Sequence, residues 1–181
     1  QDHWWLMLYR TCKNNIYNWL KTETCAPFYF RISPYCVFMS IFSAQFGQHF
    51  SSQSTFLVNN TVNNNSANGL VVENNASVIL AEGNTFSNNT QYGIRVWLGG
   101  SLNMYDGAQL TSPTTISGNT KGTIHIGSGG SAYLSYLTLS SPTSGIIAEK
   151  GAAFHMRNIT ITNSQKEGVN LRGETAYIDN A

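Results

Sequence analysis

Charge is scarce in this chain. Only 10% of its 181 residues are Asp, Glu, Lys or Arg, and the formal net charge is +1. A phosphate backbone is bound by a basic stripe that displaces counterions, so nucleic acid is not an expected partner. Asp occurs only at Asp2, Asp106 and Asp179. A hard cation wants about six oxygen ligands, several of them carboxylates, so no metal or other cofactor is expected. Cysteine is confined to Cys12, Cys25 and Cys36, at spacings that match no zinc or redox motif. The remainder of the chain is therefore not stapled by disulfides. No apolar run approaches the about 20 residues that a membrane-spanning helix needs, and no span is expected.

Polarity is carried instead by Asn, Ser, Thr and Gly, which suit turns and β-surfaces. The composition divides the chain into residues 1–50 and 51–181. The first part holds Trp4, Trp5, Trp19 and every Cys. It reads as an irregular or partly helical segment, serving either as a cap on the second part or as a signal-like stretch. The signal reading rests on the apolar run Tyr35–Ala44 behind Arg31. Against it, Phe42 stands where a cleavage site wants a small residue. The chain opens on Gln1 and stops partway through a repeat, so we expect a fragment truncated at its C-terminus, with further coils beyond Ala181.

From Ser54 a repeat emerges. Gly69, Gly93, Gly122, Gly145 and Gly168 recur at steps of 24, 29, 23 and 23 residues. Each precedes alternating apolar positions: Leu70 and Val72, Ile94 and Val96, Ile124 and Ile126, Ile146 and Ala148, Val169 and Leu171. A second alternating pair follows in each repeat, from Val78 and Leu80 to Ala176 and Ile178. Val62, Phe86, Ile116, Leu139 and Ile161 close the turns. Period-two alternation buries one face of a strand and wets the other. A strand this short cannot bury its face alone. Three strands per coil return the chain above its own start, about 4.8 Å higher, and equivalent apolar residues then stack into ladders. The longer step is absorbed by a surface loop, Tyr105 to Ser112. The expected fold is all-β: a right-handed parallel β-helix, a solenoid of about five to six coils.

The corners agree with this reading. Asn64, Asn88 and Asn163 share one position and Asn65, Asn89 and Asn119 the next; Gly100, Gly130 and Gly151 mark the corner before the second strand. Asn tolerates left-handed backbone and bonds to the Asn above and below. Asn59, Asn64, Asn75, Asn88 and Asn158 each open an Asn-x-Ser/Thr triplet, the acceptor pattern for glycans. An Asn-, Ser- and Thr-rich repeat also produces such triplets by chance, and that reading is preferred. These Gly-apolar-x-apolar phrases, Gly/Ala-Ser corners and apolar-Ser-Asn-Asn turns resemble the right-handed β-helix repeats of the pectin-lyase-like superfamily. The resemblance covers Ser54 to Ala181. It implies the fold but not an activity, because that superfamily spans polysaccharide lyases, glycoside hydrolases, epimerases, phage tailspikes and surface adhesins.

The catalytic strings of the polygalacturonate hydrolases in that superfamily (Asn-x-Asp, Asp-Asp, Gly-His-Gly, Arg-x-Lys) do not occur here, nor does the acidic cluster of its calcium-dependent lyases. Alternation does map an outward face. One ladder reads Val71, Arg95, His125, Ile147, Asn170; the next reads Glu73, Trp97, Gly127, Glu149, Arg172; a third, on the following strand, reads Ile79, Asn103, Tyr133, His155, Tyr177. Arg95, Trp97, His125, Glu149, Tyr133 and Arg172 are the candidate carbohydrate-binding residues, with the Trp97 indole as a platform for a sugar ring. His125 and Glu149 form the one plausible acid/base pair. A glycosidase wants two carboxylates about 5–10 Å apart, and Glu73, placed two coils from Glu149, lies near that limit. The bland alternative packs Trp97 beneath the loop and leaves the charges as a solvated face. No residue is assigned as catalytic.

These observations lead us to expect a non-catalytic β-helix module of a secreted or cell-surface protein, extracellular in location, that engages polysaccharide or cell-surface glycan or serves as a stiff spacer. The alternative is part of a polysaccharide lyase or glycoside hydrolase whose catalytic coils lie elsewhere.

Overall fold

A computed structural model describes residues 40–41, 47–104, 112–172 and 175–179. The expectations for residues 1–39, and for most of the loop Tyr105 to Ser112, fall outside them.

Every described element is a strand, and every pairing is parallel. The strands form three stacked rows. The first contains β2 (Gln48–Ser51), β5 (Leu70–Glu73), β8 (Tyr92–Val96), β11 (Gly122–Ile126), β13 (Ser144–Ala148) and β15 (Val169–Leu171). The second contains β3 (Ser54–Leu57), β6 (Ser77–Leu80), β9 (Ser101–Met104), the leading halves of β12 (Ser131–Ser140) and β14 (Ala153–Thr162), and β16 (Thr175–Asp179). The third contains β1 (Ser40–Ile41), β4 (Thr61–Asn63), β7 (Thr85–Ser87), β10 (Thr114–Ser117) and the trailing halves of β12 and β14. The chain visits the rows in turn, so it makes about five coils, with β15 and β16 opening another.

The interior is the set of ladders that the alternation predicts. Leu70, Ile94, Ile124 and Ile146 stack in register and are fully buried, as are Val62, Phe86, Ile116 and Leu139 in the third row. Each ladder removes apolar area from water that a lone strand of four residues would leave exposed.

The coils begin earlier than residue 51. Gln48–Ser51 stack on Leu70–Glu73, and Ser40–Ile41 on Thr61–Val62. Composition hides this start because a polar residue, Gln48, fills the buried rung opposite Leu70. The glycine rung also shifts by one residue in the fourth coil. Gly122 faces Tyr92, and Thr123 occupies the rung of Gly93 and Gly145. Thr123 is fully buried there and its hydroxyl donates to the Gly145 carbonyl. Gly151 likewise belongs with Gly99 and Gly129 at the left-handed corner, while Ala152 shares the buried rung of Gly130.

The corners run on Asn. Asn64, Asn88 and Asn163 have φ of 56°, 55° and 58°. Just inside, Asn65 Nδ2 donates to Asn89 Oδ1 at 2.7 Å and Asn89 Nδ2 to Asn119 Oδ1 at 2.8 Å, all fully buried. A second buried ladder, Asn60 over Asn84, stands outside the positions the repeat marks. This grammar accounts for three of the five Asn-x-Ser/Thr triplets. An outward left-handed Asn is followed by an inward ladder Asn and then by Thr61, Ser66 or Thr90.

Candidate functional site

The six candidate residues divide between two faces. Five project from the first row of strands and its following corner. Tyr133 projects from the second row, in register with Asn103 and His155.

On the first face the side chains close on one another. The Arg95 guanidinium lies 4.0 Å from the centroid of the Trp97 ring. They stand two residues apart on one side of the strand, so a cation–π contact forms locally. That contact covers one face of the indole. Gly127, the next rung, leaves room for the ring: a Cβ there would approach Trp97 Cβ at 3.0 Å. Tyr92 lies across Gly122 and stacks on His125, with centroids 4.7 Å apart and planes at 16°. Glu149 Oε1 accepts a hydrogen bond from Arg172 Nη1 at 2.9 Å and lies 3.4 Å from His125 Nε2. At the other end of the row, His49 and Glu73 make a similar pair at 3.0 Å.

His125 is only 9% exposed. Burial lowers its pKa from the ordinary 6.5; the hydrogen bond to Glu149 opposes that, and the charge of Arg95 reinforces it. Its Nδ1 is buried without a hydrogen-bond partner, and its Nε2 is turned to Glu149. Neither nitrogen is presented to a ligand, so the geometry does not support His125 as an acid or base acting on substrate. Nor is Glu73 a second carboxylate for Glu149. Trp97 and Gly127 both intervene, which makes three coils rather than two, about 14 Å at the usual strand spacing. The mismatch with the about 5–10 Å of glycosidases is plain. Among the described residues no group of three or more His, Cys, Asp or Glu could hold a metal ion.

The second face is open. Tyr133, His155 and Tyr177 stand on successive coils at one register position. The His155 ring meets Tyr133 edge-on at 4.9 Å and Tyr177 edge-on at 4.6 Å, both at 81°. Beside them run the small residues Ser131 and Ala153, and together they line a shallow, largely open groove of roughly 490 Å³. Tyr177 is 62% exposed. The ladder itself is legible from alternation. The groove is not, because it depends on the small residues two positions earlier.

A family model described as "Right handed beta helix region" matches residues 35–108. With the stacked parallel coils continuing to Asp179, this defines a right-handed parallel β-helix repeat protein. The repeats are consistent with the pectin-lyase-like superfamily. No curated protein and no solved structure gives a match. No described helix is long and apolar enough to cross a membrane.

Proposed function

We propose that this β-helix is a non-catalytic module of a secreted or cell-surface protein and that it binds an extended polysaccharide. The observation that carries the reading is the row Tyr133, His155 and Tyr177 lining an open groove over successive coils. A polymer of similar repeating units needs a site that repeats, and the coil supplies one. Aromatic rings give the apolar faces of sugars a rigid surface, and Asn103 and Ser131 at the groove edge offer groups for hydroxyls. The first face then works as a brace: Arg95 on Trp97, Tyr92 on His125 and Arg172 on Glu149 hold neighbouring strands and coils together. The sealed imidazole of His125 gives these coils no acid or base presented to a ligand on that face.

A glycan array probed with the full chain tests this. Selective binding is expected, reduced in Tyr133→Ala and unchanged in Trp97→Ala. A folded protein that binds no glycan would remove the reading.

A further inference from the structure

The groove on the second row lacks what an acidic glycan would require. Its described lining residues include no Lys, Arg, Asp or Glu. A carboxylate or sulfate laid against Tyr133 and Ala153 would lose water and gain no cation in return, an unfavourable exchange. Arg157, two positions beyond His155, faces Asp179 at 3.9 Å. Arg95 and Arg172 belong to the other face, against Trp97 and Glu149. What remains is a run of aromatic rings beside Ser131 and Ala153, with Asn103 among the lining residues. Building on the carbohydrate reading above, we propose that the groove takes a neutral polysaccharide, laid along the stack, and discriminates against uronate-bearing and sulfated chains. The apolar faces of successive uncharged sugars pack against Tyr133, His155 and Tyr177. Hydroxyls, whose desolvation is far less costly than that of an anion, meet the Asn103 amide and the Ser131 hydroxyl.

The test is affinity electrophoresis of the full chain through gels containing either neutral polysaccharides (β-glucan, mannan, xylan) or acidic ones (polygalacturonate, alginate, a sulfated galactan). Retardation by a neutral polymer is expected. It should persist at about 0.5 M salt, where exposed charges are screened. Tyr177→Ala should weaken it about tenfold or more, as for an aromatic anchor that the ligand covers, and Tyr177→Phe should retain it. Retardation only by acidic polymers, relieved by salt, would overturn this inference and leave the carbohydrate reading standing. Retardation by neither class would overturn both. Circular dichroism of each variant separates lost binding from lost fold.

Discussion

Inside a dry corner an amide has no water to fall back on. Asn89 Oδ1 accepts from both the backbone N–H and the side-chain amide of Asn65, and all of these atoms are buried. Asn89→Ala removes that shared acceptor and is expected to cost about 2–4 kcal/mol; urea denaturation measures it. His125 gives a pH signature. The unfolded chain takes up a proton near pH 6.5, whereas the folded chain, with its lowered pKa, does so only in stronger acid. Stability should fall as pH drops from about 6.5 toward the lowered folded value. Denaturation midpoints at stepped pH should show that loss, and His125→Phe should flatten it. Of these residues, the ladder of Asn65, Asn89 and Asn119 is visible in the chain because each follows an apolar residue at a fixed offset. The Asn60–Asn84 ladder escapes because Gly83 takes the left-handed corner that Asn59 fills one coil earlier, which breaks the Asn-Asn signature.

At the scale of the element, alternation is enough to separate the inward from the outward side of a strand, because period two is the whole of a strand's geometry. It does not show that Arg95 folds onto Trp97, since both point outward and a choice of rotamer is not written in the pattern. The Gly93 rung shows how tightly the rows approach. A Cβ there would run into Ile116 Cγ2 and sit 3.0 Å from the Thr123 carbonyl oxygen. Gly93→Ala is expected to destabilise by more than about 2 kcal/mol through overpacking, against less than about 0.5 kcal/mol for an exposed substitution such as Lys150→Ala. Thermal unfolding of the two variants side by side makes the comparison.

The described coils behave as a one-dimensional stack in which each is held mainly by its neighbours. Leu171 stands on the inward register of Val96, Ile126 and Ala148, yet it is 43% exposed at the end of the described stack. Ile178 is exposed in the same way. On the proposal above, the aromatic row of the second strand row is the carbohydrate surface and the Trp97 face is not. An aromatic-region NMR titration of the full chain, with the polysaccharide fragment that binds best, separates the two most directly. Ring signals of Tyr133, His155 and Tyr177 are predicted to shift together while the Trp97 indole stays in place. A shift of Trp97 with the tyrosines unmoved would contradict the assignment.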